Sequence, residues 1–349
     1  MLLPKTMRAA ILTEIQKPLV VDEVELPTEL DFGQVLVKLH YSGICGTQLG
    51  EIAGAKGPDA YLPHLLGHEG AGVVESVGPM VKGVKPGDHV VMHWRKGVGI
   101  EAATPKYSWH GKTLNAGWIT TFNEYAVVSE NRVTVIPSDF PMHLAPLFGC
   151  AVTTGIGAIT NKARLAIGES VLVVGAGGVG LNVVQAAAMQ SAYPIVAVDM
   201  FEGRTELAKA LGATHTINSS GIDWVQQARR IVGAQGFDVV IENTGNTDVI
   251  GESWKLAGAE GRVVLIGVPS NGNEARLYTL PLHFGKILTG THGGDGNPSR
   301  DIPRYIRLHR AGRLALDKLV TKEFNLNQIN NALEEMRTGR LSGRCIIKF

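Results

Sequence analysis

Cysteine is scarce in this sequence of 349 residues. Three are present, at positions 45, 150 and 345, and they are too far apart for the dense disulfide framework of a small secreted domain. This spacing predicts free thiols and a reducing, cytoplasmic location. The first residues, MLLPKTMRAAILTE, agree with that prediction, because they carry a charge and a proline where a secretory signal has its apolar segment.

Charge imbalance and long apolar runs are also lacking. The formal net charge is +1 and there is no basic stripe, which argues against nucleic acid or an anionic membrane as a partner. No apolar run reaches the roughly 18 residues that are needed to cross a bilayer. Hydrophobic residues make up 44% of the chain and charged residues 19%, which is typical of a globular protein, and the length suits two domains.

The pattern of the chain changes near Ala151. Before this residue lie short β-rich segments such as QVLVKLHYSGI and DHVVMHW, punctuated by glycine and proline, and they predict a barrel-like all-β unit. After it, strand patterns such as VLVVGAG and IVAVD alternate with helical stretches. This alternation predicts a doubly wound parallel sheet with right-handed crossovers. We expect the final strand pattern, RCIIKF, to return to the N-terminal unit.

A glycine-rich turn, VLVVGAGGVG, follows an apolar strand and opens a predicted helix. Gly175, Gly177 and Gly180 have the G-x-G-x-x-G spacing that lets a tight turn approach a pyrophosphate at a helix N-terminus. Asp199 ends the next strand, 19 residues after Gly180, where a carboxylate accepts hydrogen bonds from the adenosine ribose hydroxyls. The pattern predicts a dinucleotide site, and the alternative is a plain turn without a ligand.

The same carboxylate selects between cofactors. A 2′-phosphate beside it would be repelled, so the sequence predicts NAD rather than NADP. Arg204 lies close by in sequence and lessens this discrimination, as Arg8 does if the fold brings it near. We count Gly178, Val179 and Arg204 among the cofactor-binding candidates as well.

Three residues with metal-binding side chains stand in separate segments: Cys45 in SGICGTQLG, His68 in LLGHEGAGVVESVG and Cys150 in LFGCAVTTG. Two thiolates and one imidazole form a ligand set typical of a catalytic zinc, which keeps its fourth position for water or substrate. The sequence by itself does not bring the three together. Each cysteine can equally be a small buried hydrophobe, and the histidine an ordinary hydrogen-bonded one.

Taken together, GICGT, GHEGAGVVESVG…VKGVKPGDHV, GCAVTTGIGA and VLVVGAGGVG…VDM resemble the zinc-dependent alcohol dehydrogenases of the medium-chain dehydrogenase/reductase family. The motifs occur in the family's order from about residue 7 to 349. The resemblance implies an α/β plus β fold, with a GroES-like β-barrel catalytic domain over 1–155 and 295–349. It implies an inserted Rossmann domain, a doubly wound parallel sheet that binds NAD, over 156–294.

The resemblance also assigns roles by position. Cys45, His68 and Cys150 match the ligands of the catalytic zinc. Glu69 matches a carboxylate that lies near the metal and can exchange onto it, and Thr47 matches the hydroxyl that hydrogen-bonds the substrate oxygen. These five residues are the candidate catalytic set.

Two further residues match cofactor contacts, and one segment matches a subunit contact. Val268 stands where the family packs the nicotinamide end of the cofactor, and Arg344 where a basic residue near the C-terminus reaches the pyrophosphate. The edge strand of the Rossmann sheet, here around VVLIGV to ILTGTHGG, often pairs with its copy in this family. We therefore expect a homodimer.

Three departures from the family pattern affect the expected site. Many members bind a second, structural zinc through four closely spaced cysteines, but there is no cysteine between Cys45 and Cys150, so we expect one catalytic zinc and no structural zinc. Gly50 stands where many relatives have a histidine that ends a proton relay to solvent. Gly46 stands where some relatives place an arginine on the pyrophosphate.

The stretch HVVMHWRKGVGIEA lies where the structural metal lobe normally begins. By alignment with the family, Trp94 lines the substrate channel near zinc, whereas His93 points to the other face of its strand and is either packed or part of the pocket. Arg95 and Lys96 are either solvated or offer cations to an anionic or polyhydroxylated substrate. His292, in GTHGG, is expected to face the same cavity.

The resemblance therefore implies a zinc-dependent oxidoreductase that transfers a hydride between an alcohol and NAD, with a ketone or aldehyde as the oxidised partner. We predict a polar substrate, such as a sugar alcohol, a cyclitol or another polar secondary alcohol. A simple aliphatic or aromatic alcohol is the alternative. A zinc-free reductase and a non-catalytic nucleotide-binding protein on the same fold are further alternatives.

Overall fold

A computed structural model describes residues 3–349, which divide into two compact units. The first contains the described residues up to Cys150 with Asn297–Arg307 and Val320–Phe349, and the second contains Ala151–Gly296 with Leu308–Leu319. The strands in chain order are β1 (Thr6–Leu12), β2 (Val20–Glu25), β3 (Gln34–Gly43), β4 (His64–Leu65), β5 (Glu69–Val77), β6 (His89–His93), β7 (Lys106–Trp109), β8 (Lys112–Asn115), β9 (Tyr125–Ser129), β10 (Val133–Val135), β11 (Val171–Val174), β12 (Ile195–Asp199), β13 (His215–Asn218), β14 (Phe237–Glu242), β15 (Ala257–Leu265), β16 (Ile287–Gly290), β17 (Val320–Asn325) and β18 (Arg344–Lys348). The α-helices are α1 (Gly46–Ile52), α2 (Ala151–Gly157), α3 (Gly178–Met189), α4 (Glu202–Ala210), α5 (Trp224–Val232), α6 (Thr247–Leu256), α7 (Pro298–Arg310) and α8 (Ile329–Arg337).

The first unit contains a small barrel and a larger sheet. The closed barrel has the strand order β1-β2-β7-β8-β4, and the seven-stranded sheet has the order β10-β6-β5-β3-β18-β17, with β9 paired to β3. The C-terminal strand returns to the N-terminal unit as predicted, because Ile346 pairs with Gly43 and Ile347 with Ser42.

Strand β3 shows how the sequence builds this unit. Successive side chains of a strand point to opposite faces, so a run of apolar residues can serve two cores. Val35, Val37 and Leu39 pack into the core beneath β5, β6 and β9, whereas Leu36 packs into a second core with residues of β1 and β8. Strand β3 is therefore packed against a core on each of its two faces.

The second unit is a six-stranded sheet in which every neighbouring pair is parallel. Its order is β13-β12-β11-β14-β15-β16, so the chain reverses its direction of winding beside β11. Strands β11 and β12 are almost continuous runs of valine, leucine, isoleucine and alanine and are buried along their whole length, as expected for a parallel sheet covered on both faces. The predicted doubly wound sheet is confirmed.

The helices are short. The longest, α7, has 13 residues and carries arginines along its length. Within residues 3–349, no helix is both long and apolar enough to cross a membrane.

Candidate metal centre and cofactor loop

Three side chains that are distant in the sequence lie together in the first unit. The donor atoms of Cys45, His68 and Cys150 are all within 4.8 Å of one another. Over residues 3–349, this is the one group of three or more cysteine, histidine or acidic side chains that could hold a metal ion. Neither Cys45 nor Cys150 is in a disulfide, and both side chains are buried.

The strand register explains how the three residues meet. Strands β3 and β5 are antiparallel neighbours, with Ser42 opposite Gly70, so the end of one strand and the start of the other lie at the same edge. Cys45 follows β3 at the N-cap of α1, and His68 immediately precedes β5. Cys150 is brought against them by Gly149, where an added Cβ would lie 2.8 Å from the Cα atom of Glu69.

This ligand set fits zinc. Bonds of about 2.3 Å to sulfur and about 2.0 Å to nitrogen place the donors of one tetrahedral zinc roughly 3.5–4 Å apart. The donor atoms here, all within 4.8 Å of one another, need only small shifts to meet one ion. The hydrogen bond from the Cys150 thiol, together with the bond and charge of His68, holds the pKa of Cys45 well below its usual range. A thiol that ionises readily is the form that a metal binds.

Sequence reasoning missed Gln48, which orients two of the ligands. Its side chain is buried, with its Nε2 atom 2.6 Å from His68 Nδ1 and its Oε1 atom accepting a hydrogen bond from the Cys45 backbone N–H at 3.1 Å. Through these two contacts Gln48 fixes the orientation of the His68 ring and the backbone of Cys45. The sequence signal for Gln48 was its position three residues after Cys45, because a glutamine at this spacing from an N-cap can form a capping box.

Thr47 lies beside the cluster. It is the second residue of α1 and is exposed, and its Oγ1 atom lies 3.7 Å from the Cys45 sulfur. A hydroxyl at this place can reach both the cluster and an incoming ligand. The predicted substrate contact of Thr47 stays a prediction.

Glu69 and Arg344 form a buried ion pair behind His68. Glu69 is 0% exposed and Arg344 is 4% exposed, and their charged groups are in direct contact. Gly43 makes room for this carboxylate, because a Cβ there would lie 2.7 Å from the carboxyl carbon of Glu69. The guanidinium of Arg344 faces Glu69 and is shielded from solvent, and its expected contact with the pyrophosphate stays a prediction. The predicted exchange of Glu69 onto the metal stays a prediction.

The glycine-rich turn of the second unit has the geometry that its sequence predicts. Gly175 has φ +90°, a conformation that favours glycine, and a Cβ at Gly180 would lie 2.0 Å from the Gly175 carbonyl oxygen. A Cβ at Gly177 would meet nothing within 4 Å, so the N-terminus of α3 is open there. Gly178 and Val179 are the first two residues of that helix. The turn can therefore accept a pyrophosphate.

Asp199 connects this turn to the next strand. Its carboxylate accepts hydrogen bonds from the backbone N–H groups of Ala176 at 2.8 Å and Phe201 at 3.1 Å. Arg204 Nη1 lies 3.6 Å from the same carboxylate, and its guanidinium carbon lies 4.6 Å from the centre of the Phe201 ring. Arg204 is therefore close in space to the predicted ribose-binding carboxylate, as well as close in sequence.

The other two predicted residues of this unit are at its surface. Val268 is 81% exposed on a loop whose backbone lies against Gly245, and an apolar side chain so exposed is available to a ligand. His292 is exposed and caps a short 3-10 turn, where its backbone N–H donates to Asp295 Oδ1 at 3.2 Å. Their predicted contacts with cofactor and substrate stay predictions.

The pocket interpretation of His93 is wrong. The side chain is 0% exposed, and its ring is hydrogen-bonded on both sides, by the Arg95 carbonyl oxygen at 2.7 Å and by Thr134 Oγ1 at 2.8 Å. Burial lowers the pKa of His93 to about 4. This neutral histidine is a core residue that fixes the start of the following loop.

The loop after His93 contains ion pairs with residues that the sequence analysis did not identify, Glu101 and Arg132. Lys96 pairs with Glu101 at 2.8 Å, and the buried Arg132 pairs with the other carboxylate oxygen of Glu101 at 3.2 Å. The Lys96 hydrogen bond is the main cause that lowers the pKa of Glu101 to about 2. Trp94 is half-buried, and the guanidinium carbon of Arg95 lies 5.9 Å from the centre of its ring.

Two family models match the chain. The alcohol dehydrogenase GroES-like domain matches residues 31–138, which lie in the first unit, and the zinc-binding dehydrogenase model matches residues 178–310. The GroES-like match therefore falls in the first unit, and most of the zinc-binding dehydrogenase match falls in the second.

Several known proteins are similar over nearly the whole chain. The alcohol dehydrogenase class-3 of Cereibacter sphaeroides is 32% identical, over 98% of this chain and 99% of that protein. The S-(hydroxymethyl)glutathione dehydrogenase of Synechocystis sp. is 34% identical, with the same coverage of both chains. The crystal structure of benzyl alcohol dehydrogenase from Acinetobacter calcoaceticus superposes with a TM-score of 0.88 at 30% identity, over 99% of this chain and 100% of that one.

Proposed function

Because the chain belongs to the zinc-dependent alcohol dehydrogenases of the medium-chain dehydrogenase/reductase family and is a zinc- and NAD-dependent alcohol dehydrogenase, we propose that it binds a single catalytic zinc and oxidises a polar alcohol. The observation that carries the metal site is the meeting of Cys45, His68 and Cys150 within 4.8 Å. The proposal of a single zinc rests on the absence of any second such cluster in the described part of the chain.

The chain's own residues prepare the reaction. When bound, zinc supplies a Lewis acid for the alcohol oxygen and NAD supplies the hydride acceptor. Gln48 holds the imidazole of His68, and the buried pair of Glu69 and Arg344 supports the backbone beside it. Thr47 Oγ1 accepts the proton of the alcohol and passes it towards solvent, to which this residue is exposed.

The cofactor preference rests on Asp199. We expect NAD to have the higher kcat/KM, and Asp199→Ala to reduce its advantage over NADP by roughly 10- to 100-fold, because like-charge contacts cost several kcal/mol. Steady-state kinetics with both cofactors measures this ratio. Glu202→Ala is the control, since Glu202 is an exposed acid three residues away. Equal kcat/KM for NAD and NADP in the unmutated enzyme would contradict the assignment.

The polar substrate rests on one cation beside an aromatic ring. Of the two predicted cations, the proposal uses Arg95, because its guanidinium carbon lies 5.9 Å from the centre of the Trp94 ring. The name of the relatives that act on S-(hydroxymethyl)glutathione supports a charged, polar substrate, because glutathione carries carboxylates. The similarity to a benzyl alcohol dehydrogenase supports the alternative of an aromatic alcohol.

A substrate panel separates these two classes. We expect a polar alcohol (a sugar alcohol, a cyclitol, a phosphorylated polyol or the adduct of formaldehyde with glutathione) to give a higher kcat/KM than ethanol or benzyl alcohol. Arg95→Ala should raise KM for the polar substrate by about tenfold, the value of one charged hydrogen bond, and leave ethanol unchanged. Lys96→Ala is the matched control. Best turnover of long-chain or benzylic alcohols, with no effect of Arg95→Ala, would refute the polar substrate and leave the zinc site standing.

A homodimer is the proposed assembly. The edge strand is β16, whereas VVLIGV begins at the end of β15, one strand further in. Apolar side chains are exposed beside this open edge, among them Phe284 at 72%, Tyr278 at 69% and Ile287 at 45%. An open edge strand with an apolar surface is suited to pairing with a second copy.

Light scattering tests the assembly. We expect the mass of a dimer at micromolar concentration, and a shift towards the monomer in Phe284→Asp, because a buried carboxylate would oppose the contact. Val98→Asp, an exposed valine in the first unit, is the control. A monomer in the unmutated protein would contradict the proposal.

A further inference from the structure

One short turn holds the loop that carries Trp94. The turn consists of Ser129, the last residue of β9, and of residues 130–132, which lead into β10. Its first three residues bind the backbone of the loop spanning 94–103. The Gly97 N–H donates to the Asn131 carbonyl at 2.7 Å, the Asn131 N–H donates to the Ile100 carbonyl at 3.2 Å, and the Ala102 N–H donates to Ser129 Oγ at 3.0 Å.

Glu130 adds a carboxylate to the same turn. One of its oxygens accepts hydrogen bonds from the Lys82 and Gly83 N–H groups at 2.8 and 2.6 Å, and the other accepts from the Ile100 N–H at 2.8 Å. Burial opposes the ionisation of Glu130, but these three backbone donors outweigh it and lower its pKa. The loop is therefore fixed at its middle by an ionised side chain.

Arg132 fixes the beginning of the loop. It is 2% exposed, and its Nη1 donates to the Trp94 carbonyl oxygen while its Nη2 donates to Glu101 Oε1 at 3.2 Å. The guanidinium carbon also lies 5.2 Å from the centre of the Trp118 ring. Burial of a cation costs free energy unless its N–H groups are hydrogen-bonded. Here the N–H groups of Arg132 connect Trp94, the first residue of the loop, to Glu101.

The residue that Arg132 holds is next to a metal ligand. Strands β5 and β6 are antiparallel, with Glu69 opposite His93. Continuing the register by one residue places Trp94 opposite His68. The position of the Trp94 side chain therefore depends on the backbone carbonyl to which Arg132 donates.

We propose that Arg132 is a positioning residue that sets substrate size through Trp94. This rests on the proposed function, because it takes Trp94 to border the substrate. With the Trp94 carbonyl held, the indole fills space beside the zinc ligands and excludes bulky alcohols. When the hydrogen bond from Arg132 to this carbonyl is weakened, the indole can move aside and the site can bind larger alcohols.

The test compares Arg132→Lys with the unmutated enzyme. Lysine keeps the charge but lacks the fork that bonds two acceptors at once. We expect the ratio of kcat/KM for benzyl alcohol to that for ethanol to rise about tenfold, through a lower KM for benzyl alcohol. Lys96→Met is the matched control, because it removes another cationic partner of Glu101 and leaves the bond from Arg132 to the Trp94 carbonyl in place. It should leave the ratio unchanged. If Arg132→Lys does not fold, Glu101→Ala takes its place, and its ratio should rise in the same direction.

A double mutant separates positioning from a general loss of stability. In Trp94→Ala, adding Arg132→Lys should change the ratio no further, because the indole through which Arg132 acts is gone. Equal effects in the presence and absence of the indole, or an equal fall of kcat for both alcohols, would overturn the proposal.

Hydrogen exchange supplies a readout that does not depend on turnover. Arg132→Lys should speed exchange in residues 94–102 relative to both the unmutated protein and Lys96→Met, and leave residues 45–52 unchanged. No difference over 94–102 would overturn the proposal. Absence of alcohol oxidation by the unmutated enzyme would refute the proposed function alone, since this comparison would still decide whether Arg132 holds the loop.

Discussion

Replacing Cys45 by serine is expected to remove both the zinc and the alcohol oxidation. A serine hydroxyl is not ionised at neutral pH and is a poor zinc ligand, whereas the Cys45 thiol already ionises readily beside Cys150 and His68. Loss of a residue that hydrogen-bonds a metal ligand lowers metal affinity by about 10- to 100-fold, so loss of a ligand itself should lower it further. Zinc per chain by mass spectrometry and NADH formation at 340 nm should both fall to background.

Cys345→Ser is the matched control for this experiment. Cys345 is also a buried free cysteine, but it lies in β18 and is not one of the clustered donors. Its replacement should leave the zinc content and turnover near those of the unmutated enzyme. Full turnover in Cys45→Ser, or equal zinc loss in both variants, would contradict the assignment.

Replacing Thr47 by alanine should have the next largest effect. The hydroxyl is the one proton-accepting group that we place at the reacting oxygen, and loss of such a group lowers kcat by about 100- to 10,000-fold. The zinc content should not change, since the Thr47 oxygen lies 3.7 Å from the Cys45 sulfur and belongs to no ligand set. The measurement is kcat with a saturating alcohol, beside the dissociation constant of NAD.

Thr47→Ser separates chemistry from packing. Serine keeps the hydroxyl and loses one methyl group, so most of the activity should return, and NAD should bind equally well to all three proteins. If Thr47→Ala keeps its kcat, the proton leaves by another route, such as water admitted beside Gly50, where an added Cβ would meet only Ala55 at 3.7 Å.

The cofactor turn could be predicted from sequence because its signals are local. Three signals lie within about 30 residues: the glycine spacing, the apolar strand before it and Asp199 after it. The structure has the strand, the turn and the carboxylate at these places. At Gly180, for example, any side chain would clash with the Gly175 carbonyl. The parallel sheet was predictable for the same reason, since its strands β11 and β12 are almost continuous apolar runs.

The metal cluster could not be derived from the residues alone. Cys45 and Cys150 are 105 positions apart, and only the pairing of β3 with β5 and the close approach of Gly149 bring them together. The resemblance to a family supplied what local patterns lacked. Gln48 was missed because its role depends on a ring that the fold places 2.6 Å away.

The polar residues around the site were the least predictable. Strand alternation showed that His93 and Trp94 face opposite ways, but it could not show that the face of His93 is sealed core. The ion pair of Arg344 with Glu69 joins residues 275 positions apart, so no local pattern could indicate it. Arg132 and Glu101 are 31 positions apart and look like ordinary surface charges in the sequence.

The most direct test of the account is the zinc content of the purified protein, measured together with its NAD-dependent alcohol oxidation while a chelator removes the metal. We expect one zinc per chain and a loss of turnover in proportion to its removal, restored by adding zinc back. Two tightly held zinc ions per chain, or full turnover in protein from which the zinc has been removed, would contradict the single catalytic zinc centre of Cys45, His68 and Cys150.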